Sequence, residues 1–200
     1  MKKIEIGIPC GPNSEHYGNF LIKSIESTLS NSYQTKIIIG INKPGIDKNK
    51  ILKSVSSDVV FVEDHIDISG SIGHGHCLDL ILKNMTHENI GVFADVDTAF
   101  ISKNWDINLL EHIVKNNISF IGSEYHKTDG KIVDLPNVIT AMFKISDLKD
   151  SNITFIPSLE RVNGDKVFLD TGCEAILNLQ SLGYSLDTLK IVSPRYEDTI

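Results

Sequence analysis

Ile90-Gly91-Val92-Phe93-Ala94-Asp95-Val96-Asp97 is a run of five small or apolar residues leading directly into two carboxylates. A short apolar run of this kind reads as a buried strand that delivers its charges at its carboxyl end. Alternation along an extended chain points residues i and i+2 the same way, so Asp95 and Asp97 are expected to face one pocket. Two anions held together repel. A divalent cation relieves that repulsion, and hard oxygen donors favour Mg²⁺ or Mn²⁺. An Asp-x-Asp pair can also simply cap the turn and helix that follow it. The apolar strand and the Gly-flanked helix just upstream favour the functional use.

Upstream, a Gly/Ser loop over Ser69–Gly75 leads into a helix through about Met85, with Leu78, Ile81, Leu82 and Met85 on one face. Three earlier strands are expected at Ile4–Pro9, Lys36–Ile41 and Val59–Val62. Between them, a polar loop through Gly18 gives way to helical spacing at Phe20, Leu21, Ile25 and Leu29. Asp47 caps a short helix to about Val55. Downstream, Ser102 caps a helix to Val114, and strands follow at Ile118–Gly122 and Val138–Ile145. Residues Tyr125–Asp134 are turn-rich, and Asp170 caps a last helix ending at Gly183.

The first half thus reads β-α-β-α-β-α-β. That order implies an α/β, Rossmann-like three-layer sandwich with a mostly parallel central sheet. Ligands of such sheets bind beyond the carboxyl ends of the strands, where strand order reverses. No repeat or low-complexity tract appears, and residues 1–200 are expected to form a single domain.

Composition narrows the function. A net charge of -7 argues against a nucleic-acid partner. Arg161 and Arg195 are the only arginines, so a bound pyrophosphate would need a metal ion, lysines, histidines or backbone amides. Ile4–Cys10 is too short and too polar for a signal peptide, and no stretch is long enough to span a bilayer. Cys10, Cys77 and Cys173 have no paired spacing and suggest reduced thiols in a cytoplasmic protein. His74-Gly75-His76 lacks a convincing third ligand for zinc.

The stretch Gly73-His74-Gly75-His76-Cys77-Leu78-Asp79, followed by Ile90–Asp97, resembles the GT-A glycosyltransferases, especially family 2-like inverting enzymes. The opening strand Ile6-Gly7-Ile8-Pro9 shares the resemblance, which extends loosely over residues 1–125. It implies a GT-A-like fold, with residues 1–100 as the nucleotide-sugar half and 101–200 as the acceptor-side half. The chain would be a compact form similar to those encoded by large DNA viruses, or one domain of a longer transferase. The resemblance further implies sugar transfer from a nucleoside diphosphate sugar, UDP-sugar favoured, to a hydroxyl of a carbohydrate acceptor. Asp97 would bind the metal directly. Asp95 would contact the ribose or reach the metal through water, with Val96 between them in the donor site. Pro9, Cys10 and Gly11, with Asn42 at the end of the second strand, would hold the nucleoside. Many relatives carry an aspartate near Asn42; Glu63 or Asp64 after the third strand offers a carboxylate instead.

His74, at the start of the helix before the acidic strand, is placed to touch the donor, and His76 less so. An inverting transferase needs a base for the acceptor hydroxyl. By resemblance that base is Asp170 first and Glu174 second, although both also fit ordinary helix-start chemistry. Tyr125 and His126 are candidates for holding a sugar, and Arg195 and Tyr196 for folding over the diphosphate. Trp105 reads as a helix anchor. Two rival readings stand: a haloacid-dehalogenase-like phosphatase with Asp95 as nucleophile, and a non-catalytic sugar-nucleotide-binding domain. Against the phosphatase, Ala99 occupies the place where that family has Thr or Val, and the motif comes on the fourth strand instead of the first.

Overall fold

The computed structural model of the chain describes residues 3–64, 68–124, 135–162, 165–168 and 170–189. The first half alternates β1 (Ile4–Cys10), α1 (Glu15–Thr28), β2 (Thr35–Ile41), α2 (Lys48–Ile51), β3 (Asp58–Glu63), α3 (Gly70–Asn84) and β4 (Ile90–Ala94). There follow α4 (Trp105–Asn116), β5 (Phe120–Glu124), β6 (Pro136–Lys144), α5 (Ile145–Asp150), β7 (Leu159–Val162), β8 (Asp165–Phe168), α6 (Cys173–Ser181) and β9 (Leu186–Leu189). Seven strands form one sheet in the order β3-β2-β1-β4-β6-β5-β9, and β7 and β8 pair as a separate hairpin. β3, β2, β1 and β4 run parallel, as does β9 beside β5, while β6 is antiparallel to both its neighbours. The α/β architecture with a mostly parallel sheet is therefore as expected.

Alternating side chains divide the core between the two faces of this sheet. Ile37 and Ile39 on β2 join Leu21, Ile25, Trp105 and Ile113 of α1 and α4 on one face. Ile38 joins Leu78, Ile81, Leu148 and Ile176 of α3, α5 and α6 on the other. On that second face α3 lies so close that a Cβ at Gly40 would sit 2.5 Å from Cys77 Sγ and 2.8 Å from Ile81. Only glycine fits beneath the helix there.

Buried polar side chains lock the connections. Glu5, 1% exposed, accepts from the Thr86 amide at 3.0 Å and from Asn89 Nδ2 at 2.7 Å, tying β1 to the turn that enters β4. Trp105 donates from Nε1 to Thr28 Oγ1 at 3.1 Å and stacks on Phe100 at 4.2 Å, so it anchors α4 as expected.

Several boundaries differ from the sequence reading. α1 begins at Glu15, inside the expected loop, and Phe20 is exposed on its outer face. The Gly/Ser loop at Ser69–Gly75 is itself the opening of α3, with Gly73 close against the Ile68 carbonyl and Gly75 against the Phe155 backbone. Asp47 does cap α2, accepting from Asn49 and Lys50, but the helix is a single turn. Asn104, in a left-handed conformation, takes the cap position of α4 in place of Ser102. Gly172, not Asp170, directly precedes α6. β9, α5 and the β7–β8 hairpin were not expected.

Gly40→Ala should cost about 1–3 kcal/mol through overpacking beneath α3, read as a lower urea midpoint at unchanged slope. A second effect is pH-dependent. Burial would raise the Glu26 pKa, but hydrogen bonds from the hydroxyls and amides of Ser57 and Ser56 outweigh it and hold the carboxyl below its ordinary value. Its stabilising contribution is therefore present above the ordinary carboxylate range and is lost as pH falls through the folded value. Glu26→Gln should be less stable than the parent at neutral pH, with the gap closing in acid melts.

Candidate functional site

β1 lies between β2 and β4, and the chain changes direction across the sheet there. Their carboxyl ends share one edge because both pairings are parallel. Beyond Ala94 the backbone does not stay extended. Thr98 donates its amide to the Asp95 carbonyl at 2.9 Å, closing a turn over Val96 and Asp97. The Asp95 amide donates to the Ile139 carbonyl at 2.9 Å, fastening the turn to β6. Asp95 and Asp97 do line one cleft, of about 580 Å³, together with Val96, His74, Pro12 and Tyr17. The turn, not strand alternation, puts them there.

His74 stands on the opening turns of α3, with Nε2 3.0 Å from Asp95 Oδ1. Its side chain is 25% exposed and that of Asp95 21%. Burial by itself would lower the His74 pKa. The hydrogen bond and charge of Asp95, with the charges of Asp170 and Asp97 behind it, outweigh burial and raise it. The acidic surroundings thus favour the protonated form of the imidazole. It also borders three cavities at once: the cleft, one of about 250 Å³ and one of about 200 Å³.

The 250 Å³ cavity is walled by Pro9, Cys10 and Gly11 from β1 and its loop, and by Asn42, Lys43 and Ser69. Asn42 Nδ2 donates to the Gly73 carbonyl at 2.9 Å and to the Ile68 carbonyl at 3.3 Å, joining β2 to the opening of α3. A Cβ at Gly73 would lie 2.2 Å from the Ile68 carbonyl oxygen, so the same junction demands glycine. A carboxylate at position 42 would face two carbonyls, which explains the amide there. Burial raises the Cys10 thiol and pushes the Cys77 thiol up to about 12, so both sulfurs present neutral walls at physiological pH.

The 200 Å³ cavity lies where Asp95 and His74 meet Asp170, Thr171, Ser71 and Asn137. Thr171 Oγ1 donates to the Ser71 carbonyl at 2.9 Å, holding the segment before α6 against α3. Asp170 Oδ1 accepts the Thr171 amide at 2.8 Å. Asp64 is exposed and lines none of these three cavities, and neither do Glu174 and His76. Tyr125, His126, Arg195 and Tyr196 lie outside the described residues. Asn137 carries no signal in the sequence. It reaches the site because β6 inserts beside β4.

Among the described residues, no three or more His, Cys, Asp or Glu side chains gather into a closed metal cage. Asp95 and Asp97 instead form an open, two-carboxylate site. Such a donor set fits Mg²⁺ or Mn²⁺, which commonly take one or two carboxylates and fill the remaining positions with water and substrate phosphates. Also among the described residues, no helix is long and apolar enough to cross a membrane.

No family model matches the chain, and no curated protein matches it. Solved structures do. S. aureus TarS aligns over 96% of this chain and 36% of its own, with 16% identity and a TM-score of 0.64. The mannosyltransferase PcManGT from Pyrobaculum calidifontis, in complex with GDP-Man and Mn²⁺, aligns over 97% of this chain and 58% of its own, with 12% identity and a TM-score of 0.65. Glucosyl-3-phosphoglycerate synthase from Mycobacterium tuberculosis, in complex with Mn²⁺ and UDP-glucose, aligns over 96% of this chain and 71% of its own, with 14% identity and a TM-score of 0.60. The chain spans about a third of the length of TarS and just under three fifths of PcManGT. Sheet order, the reversal beside β1 and these alignments together identify the fold as that of the GT-A glycosyltransferases.

Proposed function

We propose that this chain transfers a sugar from a nucleoside diphosphate sugar, with UDP-sugar the favoured donor, to a hydroxyl of a glycan. The reading is carried by one observation: Asp95, Asp97 and His74 converge at the reversal point of a GT-A-like sheet, where three cavities adjoin. The mannosyltransferase and the synthase of the same fold were each solved with a sugar nucleotide and Mn²⁺.

In this reading the 250 Å³ cavity takes the nucleoside, between Pro9–Gly11 and Asn42. Asp97 and Asp95 would hold Mn²⁺ or Mg²⁺ in the cleft. When bound there, the cation would supply Lewis-acid neutralisation of charge on the departing diphosphate. His74 fixes the Asp95 carboxylate through their hydrogen bond. Asp170, across His74 in the third cavity, takes the proton from the acceptor hydroxyl. The acceptor oxygen bonds to the anomeric carbon as the bond from that carbon to the diphosphate breaks. Attack from the face opposite the leaving group inverts the configuration. Glu174, on the first turn of α6, is the second choice of base. Residues 1–100 serve mainly the nucleotide and residues 101–200 mainly the sugar and acceptor, within one compact domain.

Asp97→Ala should abolish the rise in melting temperature that UDP gives in the presence of Mn²⁺. An undiminished rise would remove Asp97 from the site. Asp170→Asn should keep that rise and lower transfer from a radiolabelled donor by roughly 10²- to 10⁴-fold. Transfer at the parental rate would exclude Asp170 as the base.

A further inference from the structure

Asp170, Thr171, Gly172 and Cys173 form one closed turn, in which the Cys173 amide donates to the Asp170 carbonyl at 3.0 Å. Two hydrogen bonds tie this turn to α3 and to the loop that lies on it. Thr171 Oγ1 donates to the Ser71 carbonyl at 2.9 Å, and the Gly172 amide donates to the Phe155 carbonyl at 3.0 Å. The Phe155 backbone is itself held from α3. Asp79 Oδ1 accepts the Phe155 amide at 2.8 Å, and Asp79 Oδ2 accepts the Thr154 hydroxyl at 2.5 Å. Ser71, Gly75 and Asp79 follow one another at successive turns on one face of the helix. At Gly75 the loop comes so close that a Cβ would sit 2.5 Å from the Phe155 carbonyl oxygen. The Phe155 ring is fully buried and meets Phe93 of β4 edge-on at 5.2 Å. The ring anchors the loop in the core, and the Asp79 carboxylate anchors its backbone on the helix.

We infer that Asp79 is a positioning residue for sugar transfer: by clamping Thr154 and Phe155 it sets the carbonyl that receives the Gly172 amide, and so the place of Asp170 beside His74 and Asp95. The inference rests on the proposed function, in which Asp170 takes the proton of the acceptor. Asp79 lines none of the three cavities, so its influence passes through the loop and the turn. A base works only within about 2.6–3.2 Å of the group it deprotonates. A misplacement of about 1 Å, caused far from the chemistry, can cost on the order of 10²-fold in rate. The closed turn makes Asp170 sensitive in this way, because it moves as one piece with Gly172.

Cleavage of UDP-glucose, UDP-GlcNAc and GDP-mannose with Mn²⁺, water serving as the acceptor, gives the parental kcat and donor KM. Asp79→Ala removes both acceptor oxygens. Asp79→Asn keeps an oxygen for the Phe155 amide and an Nδ2 that can donate to the Thr154 hydroxyl. Asp79→Ala should lower kcat roughly 10- to 100-fold, with the donor KM unchanged. Asp79→Asn should restore kcat to within about threefold of the parent. In an Asp170→Asn background, Asp79→Ala should cost nothing further, because its effect is spent on a base already removed. Should Asp79→Ala fail to fold, Thr154→Val at its exposed position carries the test, with an expected loss of about three- to tenfold in kcat. The same loss in both backgrounds would overturn the inference and leave the transferase reading intact. So would an unchanged kcat, or a rise in donor KM matching the fall in kcat, which marks a general structural role. Parental turnover by Asp170→Asn would remove the base and this inference with it. A parent chain that cleaves none of the three donors would overturn the transferase reading itself, and the inference falls with it.

Discussion

The hydrogen bond between His74 and Asp95 is the contact on which the site depends. It joins the opening of α3 to the end of β4, two elements brought side by side only when β1 pairs with β4 and α3 packs over β1 and β2. Glycines at positions 7 and 40 let that helix approach closely, and Asn42 fastens its first turn to β2. Once these contacts form, one imidazole borders three cavities and stands among three carboxylates. The site is thus a consequence of packing at the sheet's reversal point, with a single ring joining its parts.

That balance has a chemical logic. Asp95, Asp97 and Asp170 supply three negative charges around a chain that is already acidic overall. A diphosphate would be repelled by such a surface without positive charge between. Protonation of His74, which its neighbours favour, would supply some, and a divalent cation at two carboxylates would supply more. The neutral thiols of Cys10 and Cys77 in the adjoining cavity suit an uncharged group, so neutral and acidic walls are separated along one surface.

Much of this was legible from local sequence. Ile90–Ala94 is a strand because nothing in it tolerates exposure, and the structure gives it the bounds the apolar run suggests. The parallel order followed from the alternation of such runs with helical periods. The start of α3 was not legible, because Gly70, Gly73 and Gly75 read locally as a loop. Two of them sit where a side chain would not fit in the packed chain: a Cβ would meet the nearby Ile68 carbonyl at Gly73 and the distant Phe155 carbonyl at Gly75. Asp170 looks like a helix cap by spacing, yet Gly172 at φ +78 makes the entry to α6 and leaves Asp170 beside the cavity. Asn137 could not be found from sequence, since its relevance arises from an antiparallel strand inserted between β4 and β5.

The central claim is that Asp95 and Asp97 gather a divalent cation that a nucleoside diphosphate completes. Crystals grown with UDP and Mn²⁺ and measured at the manganese absorption edge test it directly. The account predicts an anomalous peak in the cleft, touching the Asp97 carboxylate and the diphosphate oxygens. UDP bound with no manganese beside either aspartate, or manganese and UDP held elsewhere on the molecule, would contradict it.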